Sequence, residues 1–119
     1  MMESNVPIYL QISQFIENEI INDRLIADEK VPSTNEFSKS MNVNPATAGK
    51  GLNELVDQGI LYKKRGLGMF VTEEARKIIL KKRKNYFTEY LLPEFLYEAR
   101  QLEISKEELI DRIRSDYDD

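Results

Sequence analysis

The chain has 119 residues, 41% of them hydrophobic and 32% charged, with a formal net charge of −4. That is enough apolar material for one modest core and too much for a disordered chain. There is no cysteine and no histidine, which excludes disulfides, thiolate metal sites, most zinc sites, Ser-His-Asp triads and imidazole acid/base chemistry.

Residues 7 to about 25 carry Ile8, Ile12, Phe15, Ile16, Ile20 and Leu25 near helical spacing, behind a Pro7 that suits a first turn. The spacing predicts an amphipathic helix with one buried stripe. A connection follows, with room for a very short strand around Lys30 and Val31. Ser33-Thr34-Asn35-Glu36 fits a capping box, in which the serine hydroxyl accepts a backbone N–H and the glutamate reaches back. The short helix that follows is expected to turn Phe37 and Met41 inward.

Asn42-Val43 reads as a turn. The next stretch, NPATAGKG (44–51), looks like a loop because of its glycines. Asn44 is nevertheless a good N-cap, Pro45 suits the first helical position, and Leu52, Leu55 and Val56 continue an apolar face. The stretch is therefore expected to be the first two turns of a third helix, ending at Gly59 in a left-handed conformation. Ile60-Leu61-Tyr62 and Met69-Phe70-Val71 read as strands joined by KKRGLG, whose Gly66 and Gly68 permit a hairpin turn. Helix, short strand, helix, helix, hairpin is the layout of a winged helix-turn-helix. From Thr72 or Glu73 a long helix is expected through Ala75, Ile78 and Ile79 to Phe87, Tyr90 and Leu91, ended or kinked by Pro93. Two more helical pieces follow, Leu92 to Leu102 and one capped by Ser105. The fold class is mainly α with a small β-hairpin. Residues 1–72 form the winged domain and residues 73–119 an all-helical dimerisation segment.

Charge is unevenly spread. From Lys63 to Lys84 nine Lys/Arg face only Glu73 and Glu74, whereas Glu94 to Asp119 hold nine acids and four bases. A solvated face is one reading of the basic run, and a local anion-binding surface is the other. Glycine inside a helix costs about 1 kcal/mol relative to alanine, so Gly49 and Gly51 need a reason. Gly51 has an internal one, close packing of the helices. Ala46, Ala48 and Gly49 have an external one, close approach to base edges in a major groove about 12 Å wide. There Thr47 meets a base or a thymine methyl, Lys50 a guanine or a phosphate, and Asn44 with the free N–H groups of the helix start a phosphate. The alternative is that Gly49 is merely tolerated. Lys63, Lys64 and Arg65 on the hairpin suit a phosphate backbone or a minor groove; edge strands also carry lysine simply to prevent aggregation. The apolar stripe of Phe87, Tyr90, Leu91, Phe95, Leu109 and Ile113 is too large for short helices to bury unaided. Its expected cover is a second copy of the chain, the alternative being that it folds back on the first helix.

Lys30-Val31-Pro32-Ser33, Glu36-Phe37-Ser38, Val43-Asn44-Pro45-Ala46-Thr47, Leu52, Leu55, Gly59-Ile60-Leu61 and Gly66-Leu67-Gly68-Met69-Phe70-Val71 resemble the GntR family of bacterial transcriptional regulators over roughly residues 6 to 72. Pro7-Ile8-Tyr9 with Gln11-Ile12, and the short tail, resemble its YtrA branch. The resemblance implies a dimeric DNA-binding repressor that contacts DNA through Ser33, Thr34, Asn44, Thr47 and the wing at Gly66, and that controls a neighbouring transporter operon. Asn35 stands where the second helix usually has an arginine, Gly49 where much of the family has one, Lys50 where the YtrA-like branch tends to have it instead, and Leu67 at a wing tip that is often basic. Asp23 and Asp28 stand where glycines are common.

The reading is thus a homodimeric transcriptional regulator, not an enzyme, that binds double-stranded DNA. The start of the chain lacks the basic and apolar regions of a signal peptide, and no apolar run approaches the length of a membrane span. The expected compartment is the cytoplasm, with no metal or cofactor. The sequence assigns no small-molecule effector. The rival reading is a winged-helix protein-interaction module without specific DNA binding.

Overall fold

A computed structural model describes residues 5–118. The first four residues of the 1–72 domain and Asp119 at the end of the 73–119 segment lie outside it. The elements are α1 (Ile8–Ile21), α2 (Thr34–Met41), α3 (Pro45–Asp57), β1 (Leu61–Lys64), β2 (Gly68–Val71), α4 (Ala75–Tyr86), a π-helical turn (Phe87–Leu91), α5 (Leu92–Gln101) and α6 (Lys106–Tyr117). Packing groups the residues through Lys82 into one compact unit and those from Arg83 into a second.

In the first unit, α1 buries Ile12, Ile16 and Ile20 against Ala48, Leu52 and Leu55 of α3. Phe37 anchors α2 to the same core, and Ala75 and Ile79 close it from α4. The apolar stripe of α1 is narrower than its sequence implies, because Ile8 and Phe15 lie 49% and 39% exposed. Phe15 still meets Phe37 edge-on, with ring centroids 6.3 Å apart. Met41 is exposed rather than inward. It is the last residue of an eight-residue helix, too short to bring a second apolar side chain fully onto the core. Glu17 is buried and accepts a charge-assisted hydrogen bond from the Lys82 ammonium, which also donates to Gln58 Oε1 at 2.7 Å.

The hairpin is antiparallel, with Leu61 opposite Val71 and Lys64 opposite Gly68. The short strand expected near Lys30 is a single bridge to Phe70. Residues 28–31 nonetheless line β2, through Asp28 N–H to the Val71 carbonyl (2.7 Å), Val71 N–H to the Glu29 carbonyl (3.0 Å) and Val31 N–H to the Met69 carbonyl (3.0 Å).

The helix expected to run from residue 72 or 73 to about Leu91 starts at Ala75 in the first unit and enters the second, where it is regular only to Tyr86. The chain then widens into the π turn, in which the Leu92 N–H reaches the Phe87 carbonyl, and resumes as α5. Pro93 has no N–H to continue the ladder, and a wider turn lets the chain pass its ring without breaking. Ser105 and Glu108 close a second capping box at α6. Ala99 is the one buried apolar residue of this unit among the described residues. No helix among the described residues is long and apolar enough to cross a membrane.

Candidate nucleic-acid interface

The N-terminal turn of α2 is built by its capping box. Ser33 Oγ accepts the Glu36 N–H at 3.1 Å, and Glu36 Oε1 accepts the Ser33 N–H at 2.7 Å. The Ser33 backbone N–H, and after it the Ser33 hydroxyl, stabilise the Glu36 carboxylate and hold its pKa below the ordinary carboxylate value. The box sets Ser33, Thr34 and Asn35 in consecutive positions at the helix entrance, with Ser33 and Asn35 exposed and Thr34 half-buried.

The turn to α3 is made by Asn42 in the left-handed region (φ 54°) and locked by the Ser38 hydroxyl, which donates to the Val43 carbonyl at 2.6 Å. Asn44 then caps α3 as its sequence implies, with Oδ1 accepting the Ala46 N–H at 2.7 Å. The N–H groups expected to be free for a phosphate are not free in this structure. Pro45 has none, Ala46 is capped, and the N–H groups of Thr47 and Ala48 reach the Asn44 carbonyl at 2.9 and 3.0 Å. Side chains are left to make contacts at this turn. Ala46 and Lys50 are exposed and Thr47 is half-buried, and their i, i+1, i+4 spacing puts them on one face. Ala48, Gly51, Leu52 and Leu55 form the buried face.

The two glycines of α3 differ in kind. A Cβ on Gly51 would lie 2.5 Å from the Tyr9 carbonyl oxygen and 3.2 Å from Ile12 Cβ, so the α1–α3 crossing requires glycine there. A Cβ on Gly49 would make ordinary contact with the Thr34 side chain at 3.8 Å, so nothing inside the protein requires that glycine.

On the hairpin, Lys63, Lys64, Arg65 and Gly66 are all exposed. Gly66 sits at φ +77° with no atom within 4 Å of where a Cβ would be. Lys64 Nζ lies 5.0 Å from the centre of the Phe70 ring, an arrangement in which the ring attracts the cation. Tyr62, stacked on Phe70, donates its hydroxyl to Asp28 Oδ1 at 2.8 Å, and that carboxylate acceptor raises the phenol pKa.

Two residues at this surface carry no signal in sequence spacing. The Lys30 side chain crosses the hairpin over Gly68, where a Cβ would meet its Cε at 2.9 Å, bringing a further cation beside the basic strand. Tyr9 of α1 lies under Lys50, whose ammonium is 4.1 Å from the ring centre. Both pairings join residues distant in the chain and arise only from packing. In the second unit, Phe87, Tyr90, Leu91, Phe95 and Ile113 are between 43% and 59% exposed, and Leu109 is half-buried.

Residues 8–71 match the family model described as bacterial regulatory proteins, gntR family. The HTH-type transcriptional regulator YhcF of Bacillus subtilis is 32% identical over 113 residues, which span 95% of this chain and 92% of that protein. The HTH-type transcriptional repressor YtrA of the same organism is 30% identical over 74% of this chain and 68% of its own length. A GntR family transcriptional regulator from Listeria monocytogenes superposes with a TM-score of 0.74 at 32% identity, covering 96% of this chain and 98% of its own. The structure of AraR(DBD) in complex with operator ORX1 superposes with a TM-score of 0.56 at 33% identity, covering 60% of this chain and 87% of its own. With the family model over more than half the chain and a relative matched almost end to end, this winged helix-turn-helix protein belongs to the GntR family of bacterial regulatory proteins, which are DNA-binding transcriptional regulators and not enzymes.

Proposed function

We propose that this chain is a repressor that binds a pseudo-palindromic operator as a homodimer and controls a transporter operon beside its own gene. The observation that carries the reading is the outer face of α3. Exposed Ala46 and Lys50 and half-buried Thr47 share one side of a capped helix whose Gly49 has no internal reason to be glycine. A helix thinned on its outer side suits close approach to base edges in the major groove. In this reading Thr47 and Lys50 read bases. Ser33, Thr34, Asn35 and Asn44 contact phosphates, and Lys63, Lys64, Arg65 and Gly66 follow the backbone beside the wing.

The homodimer is supported by the apolar side chains of the second unit. Phe87, Tyr90 and Phe95 each stand more than half exposed, and clustered exposed aromatics on short helices favour a protein partner. A symmetric pair would set two copies of α3 into half-sites about 34 Å apart or somewhat more.

The rival reading, an interaction module, draws on Asn35, Gly49 and Leu67, three uncharged residues at positions suited to a cation. Gel-shift titration of the full chain on the DNA upstream of its own gene separates the two. Repression predicts a discrete complex that weakens steeply with salt and contains two protein copies by sedimentation. Equal binding to upstream and unrelated DNA would favour the interaction module.

A further inference from the structure

We propose that Tyr9 is a positioning residue for base recognition: its ring holds the Lys50 ammonium in one orientation beside the outer face of α3. The proposal rests on the reading of α3 as the recognition helix and adds to it a residue from a different element.

Three observations build the arrangement. Gly51 lets α1 and α3 cross so closely that a Cβ would sit 2.5 Å from the Tyr9 carbonyl oxygen. The buried Ser13 hydroxyl bridges the two backbones, within 3.3 Å of the Tyr9 carbonyl and 2.7 Å of the Gly51 carbonyl. The crossing therefore locks the backbone of Tyr9 beside the residue that follows Lys50. Finally, Lys50 Nζ lies 4.1 Å from the centre of the Tyr9 ring, well inside the range of about 6 Å over which an aromatic face attracts an ammonium.

The consequence for recognition is specific to lysine. Arginine carries a planar fork that is already organised for a base edge. Lysine is a point charge on a flexible four-carbon stem. Ordering such a stem at an interface opposes binding. A ring that holds the ammonium before DNA arrives removes part of that opposition. The ammonium has three N–H donors; those turned away from the ring remain available to a guanine or phosphate oxygen. Tyr9 thus acts through Lys50 and need not touch DNA.

The test uses the full-length protein and a duplex that the wild type selects from a random-sequence pool. Anisotropy titrations compare Tyr9→Phe, Tyr9→Leu, Lys50→Ala and the Tyr9→Leu/Lys50→Ala double variant. Tyr9→Phe keeps the ring and is expected to bind as the wild type. Tyr9→Leu is expected to bind about two- to fivefold more weakly, the scale of an exposed cation–π contact, and to have no further effect once Lys50 is alanine. In the free protein, the Lys50 side-chain methylene protons are expected to show an upfield ring-current shift that Tyr9→Phe retains and Tyr9→Leu abolishes. A role in helix packing alone would give the same loss for Tyr9→Leu with and without Lys50, and that result overturns the proposal. So does a Tyr9→Phe defect as large as that of Tyr9→Leu, which would mean that the hydroxyl itself contacts DNA. Failure of the underlying reading looks different: no duplex is enriched, or Lys50→Ala binds as tightly as the wild type while the ring-current shift persists. Either result ends the recognition role of Lys50, and the proposal with it.

Discussion

The Ser13 hydroxyl donates a 2.7 Å hydrogen bond to the Gly51 carbonyl at the buried crossing of α1 and α3. The bond satisfies a polar side chain that would otherwise be stranded in an apolar core. It also records how near the two helices lie. Gly51→Ala places a methyl 2.5 Å from the Tyr9 carbonyl oxygen, a backbone atom that moves only if α1 moves. The expected outcome is a net loss of about 1–3 kcal/mol, the usual scale of overpacking, read as a lower urea midpoint with an unchanged slope.

Gly49→Ala should do the reverse, although it lies two residues away. Its methyl meets only the Thr34 side chain, at 3.8 Å, and alanine stabilises a helix interior by about 1 kcal/mol over glycine. The variant is expected to unfold at higher urea and to bind operator DNA more weakly. A stabilised variant with undiminished DNA affinity would mean that α3 is not kept thin for the groove.

Asp23 and Asp28 sit at φ 60° and 69°, in the left-handed region. Glycine enters that region without the Cβ clash. Asp23→Gly is expected to stabilise the protein by up to about 1 kcal/mol, the roughly 1–2 kcal/mol cost of a left-handed L-residue less the extra backbone entropy that glycine loses on folding. Its 3.8 Å pairing with Arg76 is exposed on both sides and offsets little. Asp28→Gly should gain less, because it removes the acceptor of the Tyr62 hydroxyl. Thermal melts of the two variants side by side check the order.

The Glu36 carboxylate contributes through its charge, since the Ser33 N–H and hydroxyl lower its pKa in the folded state. The sign follows directly. A depressed folded pKa stabilises the protein above the unfolded value of about 4.3, and the contribution disappears as pH falls through the folded value. Glu36→Gln should therefore melt lower than wild type at pH 7, and the gap should close as the solution is acidified and the carboxylate becomes protonated in the folded state too. A gap that persists in acid would assign the effect to geometry and not to charge.

Element identity was readable from local chemistry. Asn44-Pro45 opened a helix despite two glycines because a cap and a pre-set φ act within one turn. Ser33 with Glu36, and Ser105 with Glu108, announced two more helix starts in the same way. Gly66 and Gly68 marked a hairpin for the same local reason. The π turn before Pro93 was harder to read, because a proline constrains the backbone without dictating whether the helix stops, kinks or widens. Periodicity alone points Met41 and Phe15 inward, yet their exposure depends on how many neighbours reach the edge of a small domain.

The amino-acid order alone determined the winged helix-turn-helix layout, the capped start of α3, the basic hairpin and the apolar tail, since each is written in contacts a few residues apart. Only the tertiary structure decided that Gly51 is obligatory and Gly49 is not, that Lys30 crosses the hairpin over Gly68, and that Tyr9 lies under Lys50. Those distinctions depend on which backbone passes within a methyl's reach of another. No pattern along the chain encodes that distance, because it emerges when separate helices and strands settle around a shared core.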